Sequence, residues 1–221
     1  MHITLLGHAC IRIDAGDGPG DRPGAVLIDP GVFSPSAPSA VDGIDAVLIT
    51  HRHPDHIDPT VLGQVLDAAD VPVLAEAGAA AVAAEGGITA TAIETGWTGS
   101  FGALRVEAVG SDHAVIHPDI PGIGNLGLIV DDGETRLFHP GDAYTTVPDH
   151  IDVLALPLNA PWAKLAETIE FARAVKPRMV VPVHDHLLRP EARGIYLGQV
   201  AELGRAEILD PHRGVPTSIS G

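Results

Sequence analysis

Between Ile49 and Val61 the chain reads Ile-Thr-His-Arg-His-Pro-Asp-His-Ile-Asp-Pro-Thr-Val, and inside it lies the pattern H-x-H-x-D-H. His51, His53, Asp55 and His56 place three imidazoles and a carboxylate within six positions. Imidazole nitrogen is a borderline donor and carboxylate oxygen a hard one, a mixture that suits Zn²⁺ and its first-row neighbours. His51 and His53, two apart in extended chain, can point to one side. Asp55 and His56, one tight turn later, face a neighbouring point. Two ligand sets in one turn point to two metals. The plainer alternative is a solvated His-rich loop in a chain with twelve histidines, but so dense a pattern seldom arises by chance.

The elements on either side must position this cluster. Residues 45–50 read as a buried strand, and Asp58-Pro59 reads as an N-cap followed by proline at the first helical position. The cluster therefore sits on a strand-to-helix turn. Before it, residues 2–6 and 9–14 read as strands broken at Gly7-His8. Asp17-Gly18-Pro19-Gly20 and Pro23-Gly24 mark a turn, and residues 25–28 form a strand ending in Asp29-Pro30-Gly31. The Ser-, Pro- and Ala-rich stretch 34–40 reads as a loop, short for a linker, that could serve as a mobile flap.

After the cluster, helical spacing covers residues 60–69, a strand 71–74, and an Ala-rich helix 78–84 closed by Gly86-Gly87. Strands follow at 88–93 and 103–109. Residues 125–130 and 135–138 read as a hairpin around Asp132-Gly133. The remainder alternates: strand 153–156, helix 165–175, strand 179–183, helix 191–203 and strand 206–209. Without any repeat, this supports an α/β class of alternating strands and helices.

Bulk composition narrows the partners. The chain has 221 residues, 45% of them hydrophobic but only 4% aromatic, so its core must rest on Val, Leu, Ile and Ala. Thirteen Lys and Arg against 29 Asp and Glu give a net charge of −16. Such a surface repels phosphate backbones and anionic headgroups, so neither nucleic acid nor membrane is expected as a partner, although bound metal ions could reverse the sign locally. Cys10 is the single cysteine, which excludes an intrachain disulfide and a thiolate cage, and its apolar neighbours mark it as a core residue. No basic start with a long apolar stretch and no membrane-length apolar run is present, so a cytoplasmic protein is expected. Self-association is left open.

The turn at residues 49–61 resembles the signature of the metallo-β-lactamase-fold hydrolases, and the likeness extends over nearly the whole chain. It implies a four-layered αββα sandwich, with residues 1–221 as one domain. It also implies a third histidine after a later strand, supplied by His113 with His117 as competitor. A bridging aspartate is expected in a Gly-Asp pair, here Asp142, and a last histidine after a late strand, here His184 with His186 as rival. The resemblance thus implies one ion held by His51, His53 and His113, a second by Asp55, His56 and His184, and Asp142 between them. Zinc comes first, with Mn²⁺ and Fe²⁺ also compatible. Both ions would keep open positions, as in a catalytic centre. A shared water there has its pKa lowered to about 7, which makes a bridging hydroxide available for hydrolysis at neutral pH. Within the family Asp55 also passes a proton to the leaving group. Asp29 resembles an aspartate that orients a ligand; a plain turn aspartate is the alternative.

Gly7-His8-Ala9 and His139-Pro140-Gly141-Asp142 resemble the L-ascorbate-6-phosphate lactonase-like branch. That likeness implies a small-molecule ester or lactone as substrate. His8 would then contact substrate or bound water, or else be a core histidine at a strand end, and His139 would support a ligand. Ala143-Tyr144 departs from the branch, which has Thr after Gly-Asp. Trp97, Trp162 and Tyr144 are candidate pocket walls. Two other readings stay open. One is a phosphodiesterase for a small or cyclic phosphodiester, using Arg52, Lys164, Arg189 or Arg193. The other is a metal-binding scaffold without turnover.

Overall fold

Most of the apolar runs become strands, and among the described residues the strands pair into two seven-stranded sheets. The structure is a computed structural model that describes residues 1–16 and 23–219; the turn expected at Asp17-Gly18-Pro19-Gly20 lies outside the described residues. The first sheet holds β1 (His2–Gly7), β2 (Cys10–Asp14), β3 (Ala25–Ile28), β4 (Ala46–Ile49), β5 (Val73–Ala75) and β6 (Thr91–Ala92) in sequence order. The second holds β7 (Thr98–Phe101), β8 (Leu104–Val109), β9 (Gly127–Asp131), β10 (Arg136–His139), β11 (Val153–Pro157), β12 (Met179–Val183) and β13 (Glu207–Ile208). A last short strand, β14 (Thr217–Ser218), returns to pair with β1. Each sheet is thus antiparallel at one side and parallel from β3 to β6 or from β10 to β13.

Strands buried on both faces must be apolar throughout, because alternate side chains serve different cores. In β4, Ala46 and Leu48 face the core between the sheets, while Val47 and Ile49 face the helices outside. In β11, Val153 and Ala155 join that inter-sheet core, and Leu154 and Leu156 pack outward. The outer layer on the first sheet is α1 (Pro59–Ala68) and α2 (Ala77–Glu85), contributing Leu62, Val65, Ala79 and Ala83. On the second it is α3 (Leu165–Val175) and α4 (Pro190–Gly204), contributing Phe171, Ala172, Val175 and Val200. Three cores between four layers make the αββα sandwich. Cys10 is buried in the first outer core, and desolvation raises its thiol well above the ordinary range.

Some local expectations need correction. The strand expected at 88–93 pairs only over Thr91–Ala92, and Thr98–Phe101 and Thr217–Ser218 are strands that no apolar pattern announced. Residues 34–40 are not a flap. Ser34 Oγ donates to Gly31 O at 2.6 Å, Ser36 Oγ donates to Leu6 O at 3.0 Å, and Ala37 is buried at the start of a 3-10 turn, Ala37–Ser39. Trp97 packs on Phe101 beside the inter-sheet core rather than forming a pocket wall.

The expected N-cap holds: Asp58 accepts from Val61 N at 2.8 Å, with Pro59 opening α1. Gly31 lies so close to the backbone of Asp55 and His56 that a Cβ there would collide with it. This contact seats the His-rich turn against the end of β3.

Candidate metal centre

Because β1, β3, β4, β8, β10 and β12 all run in a sense that ends them at one edge of the sandwich, the segments following them converge there. Strand C-terminal ends are where α/β sheets usually hold ligands. Asp29, Thr50–His56, His113, Asp142 and His184 each follow such an end. Three of these junctions are conformationally demanding: His8, Asp29 and His184 adopt φ of 48°, 52° and 54°. Left-handed backbone is uncommon for residues other than glycine, and its concentration at one edge marks a site where geometry was held against local preference.

Among the described residues, two groups of possible metal donors meet at this edge, His51, His53, His113 and Asp142 in one, and His8, Asp55, His56 and His184 in the other. All the ligands expected from the sequence are therefore brought together, and His8 joins the second group. His117 and His186 stay outside both: His117 is exposed near Asp119, and His186 lies on Phe33 with its Nδ1 against Arg213.

Asp142 lies between the groups. Its Oδ1 is 3.1 Å from His56 Nε2, and its Oδ2 is 3.2 Å from His184 Nε2 and 3.4 Å from His113 Nε2. Asp55 Oδ2 is 3.3 Å from His184 Nε2, and His51 Nε2 is 3.1 Å from His53 Nδ1. Donors bound about 2.0–2.2 Å from one tetrahedral ion stand apart by this same amount. Moreover His56 Nε2, His113 Nε2, His184 Nε2 and Asp142 Oδ1 are buried with no hydrogen-bond partner, even though His56 and Asp142 are within ion-pair distance. Orphaned buried polar atoms are costly, and four facing one another fit cations as the missing partner.

The opposite ring nitrogens explain why the donors face inward. His113 Nδ1 donates to Ala114 O at 2.6 Å, His184 Nδ1 to Asn159 O at 2.7 Å, and His56 Nδ1 to Asp29 Oδ2 at 2.7 Å. Thr50 commits its hydroxyl hydrogen to Asp29 Oδ2 at 2.7 Å, so its oxygen accepts from His51 Nδ1 at 3.0 Å. Each Nε2 is left with its lone pair for a metal, the usual way a protein sets the tautomer of a ligand. Asp29 thus orients His56, as the sequence had allowed.

Three supports were not legible. Asn125 receives Asp142 N on its Oδ1 at 2.9 Å and donates Nδ2 to Pro140 O at 2.9 Å, clamping the Gly-Asp loop. Trp162 Nε1 donates to Asp142 Oδ2 at 2.8 Å. Thr50 links Asp29 to His51. Only the unusual burial of Asn and Thr in apolar surroundings could have flagged them. His139 accepts from Gly141 N and donates to Ala9 O, tying the Gly-Asp loop to the Gly7-His8-Ala9 turn.

Burial disfavours charge on every one of these groups, and the partners decide the outcome. For His56, burial is outweighed by the carboxylates of Asp142 and Asp29, which hold its pKa well above the ordinary value. His184 is likewise pushed up to about 9 by Asp142 and Asp55 against the effect of burial. Asp142 overcomes its own burial through His56 and His184 and stays far below the carboxylate range. Asp55 does the same through His184 and His8. Burial prevails at His51 and His53, reinforced by neighbouring histidines, and at His8, lowered to about 4 against its bond to Asp55.

The metal-free centre therefore holds protons where cations would sit. Adding divalent ions at neutral pH is expected to expel protons from His56 and His184, which calorimetry in buffers of different ionisation enthalpy measures. Apparent affinity should climb with pH through His184's value of about 9. In the same window the metal-free protein should lose stability. A histidine raised from 6.5 to about 9 stabilises the fold below its unfolded value, and that contribution vanishes as pH rises through the folded one.

Residues 2–184 match the family model of the beta-lactamase superfamily domain. The chain belongs to that superfamily, and the sandwich just described is the metallo-β-lactamase fold. It is similar to Protein Rv0786c of Mycobacterium tuberculosis, 40% identical over 212 residues covering 92% of each chain. It is also similar to a UPF0173 metal-dependent hydrolase of Xanthobacter autotrophicus, 37% identical over 157 residues, or 64% of this chain and 62% of that one. Among solved structures, the metallo-beta-lactamase fold protein YhfI of Bacillus subtilis aligns with a TM-score of 0.69 and 14% identity over 98% of each chain.

Proposed function

We propose that this protein is a metal-dependent hydrolase of a small-molecule ester or lactone, working with two divalent ions. The observation that carries this reading is Asp142, one buried carboxylate within 3.1–3.4 Å of nitrogens from both donor groups. His51, His53 and His113 would hold one ion, Asp55, His56 and His184 the other, and Asp142 both. Such ions supply a water acidic enough to lose its proton near neutral pH and polarise the group it attacks.

The chain's own residues set the rest. The Asp55 side chain is 25% exposed, so its ionised carboxylate would be placed to take the proton that the attacking water loses and hand it to the leaving group. His8 accepts from His186 N on Nδ1 at 3.3 Å, which leaves the proton on Nε2, 3.1 Å from Asp55 Oδ2. Burial keeps that imidazole neutral. Both ring nitrogens are engaged within the protein, so we read His8 as positioning Asp55 rather than touching substrate. The Gly7-His8-Ala9 turn, tied through His139 to Gly141 of the Gly-Asp loop, supports a lactonase-like reaction.

Charge weighs against phosphodiester cleavage at three of the four cations named for it, Arg52 being the exception. Lys164 faces Glu167 at 3.2 Å, Arg189 faces Glu191 at 3.6 Å, and Arg193 faces Asp185 and Asp210, both at 2.6 Å. These cations are matched and offer phosphate little net attraction. Acidity also supports a protein that acts without nucleic acid, and we read it as cytoplasmic. No described helix is long and apolar enough to cross a membrane.

The test is turnover of metal-loaded protein on sugar lactones, aryl esters and an aryl phosphodiester, with and without chelator. Chelator-sensitive opening of lactone or ester is the expected result. Cleavage of the phosphodiester alone would overturn the substrate class, and silence on every substrate of the panel would favour a scaffold.

A further inference from the structure

The segment between His113 and Asn125 leaves large apolar side chains in solvent beside the metal centre. Val115 is 74% exposed and Ile120 50% exposed. They border a cleft of about 420 Å³ that also includes Ile116 and Pro121 and shares His53 and His113 with the first donor group. No Asp, Glu, Lys or Arg lines it. Its volume falls in the ordinary range for small-molecule sites, which are mostly apolar with a few polar groups at one end.

A second cleft, of about 430 Å³, lies on the other side, where His186 meets His8. It contains two guanidiniums, but both are committed. Arg213 and Arg193 each hold Asp185 at 2.6 Å, and Arg193 also holds Asp210. Anion recognition there would have to break charge-assisted hydrogen bonds already made. The uncharged cleft at Val115 and Ile120 has no such competitor, and it opens directly onto two proposed metal ligands.

We propose that this cleft is the acyl-chain subsite, so that the preferred substrate is an uncharged ester or lactone bearing an aliphatic chain. The inference rests on the hydrolase reading for its chemistry, but the cleft's preference for aliphatic chains can be measured without turnover. A chain laid against Val115, Ile116, Ile120 and Pro121 covers apolar surface that water otherwise wets, while its carbonyl end lies beside His53 and His113. Burying each further methylene tightens binding by about fourfold until the cleft is filled.

Two measurements test it on wild-type protein, Ile120→Asp, and Ile195→Asp as a control on an exposed position of α4. The first is kcat/KM for 4-nitrophenyl esters from acetate to octanoate, with the metal-loaded enzyme. The second is calorimetric affinity for butan-1-ol, hexan-1-ol and octan-1-ol, with and without metal. We expect both series to strengthen by about fourfold per methylene in wild type and in Ile195→Asp, and to flatten in Ile120→Asp. Chain-dependent alcohol binding with inert esters and unopened sugar lactones would sink the hydrolase reading and leave the subsite standing. Ester turnover with flat or falling chain dependence would overturn the subsite alone. So would a chain dependence that Ile120→Asp leaves intact. Loss of chain dependence in both series removes the proposal altogether.

Discussion

Asp142→Ala is expected to lower hydrolytic turnover by about 10³-fold, because it removes the one carboxylate that faces both donor groups. Each proposed ion would be left with the three ligands assigned to it and no shared anion, so fewer than two ions should remain per chain. The three apolar cores lie elsewhere, and the sandwich should still form. Without metal, however, the variant should be less stable than the metal-free native protein. The buried His56 and His184 lose the carboxylate that stabilises their charged forms, and Trp162 Nε1 loses its acceptor. Breaking such a buried pair typically costs about 3–5 kcal/mol. Asp142→Asn separates the two effects. It keeps the shape and an acceptor oxygen but removes the charge, so turnover should fall as far while stability falls less. Steady-state kinetics and thermal melts of both variants measure this, and turnover within tenfold of native would contradict it.

The second large effect is expected at a residue that touches no metal. Asp29 accepts from Thr50 N at 2.8 Å, from Thr50 Oγ1 at 2.7 Å and from His56 Nδ1 at 2.7 Å, and is itself fully buried. Asparagine tolerates the same left-handed backbone, so Asp29→Asn changes chemistry rather than conformation. Its amide offers a single acceptor oxygen, and the NH₂ group then faces a donor. His56 loses the partner that fixes its tautomer, and affinity for the ion it helps hold should fall by about 10–100-fold. The unsatisfied donor should destabilise the fold by about 1–3 kcal/mol. Competition against a chromophoric chelator reads the affinity. Native affinity in the variant would show that Asp29 merely terminates β3.

What the sequence made legible follows from where the information lies. His51, His53, Asp55 and His56 are near neighbours in the chain, so their chemistry could be read before any fold was known. The buried strands announced themselves because strands covered on both faces must be apolar at every position, as in β4 and β11, whereas their stacking as two sheets between helices came from the family resemblance. His113, Asp142 and His184 are separated by whole elements, and only the family resemblance picked them out. The edge strand Thr98–Phe101 escaped because Gly99 and Ser100 carry no apolar signal, and its exposed side needs none. Asn125, Trp162 and Thr50 act by holding other residues in place, and such roles exist only once the strand ends converge. His8 was singled out early, yet its engagement of Asp55 and the His186 backbone depends on a hairpin meeting a loop far along the chain.

The number of metal ions bound per chain tests the two-ion centre most directly. Metal-free protein should be titrated with Zn²⁺ by calorimetry and the product analysed by elemental mass spectrometry, alongside His53→Ala. Two ions per chain in the native protein, with one lost or strongly weakened in the variant, is the predicted result. A single ion, or a count that His53→Ala leaves unchanged, would contradict the two-ion centre built around Asp142.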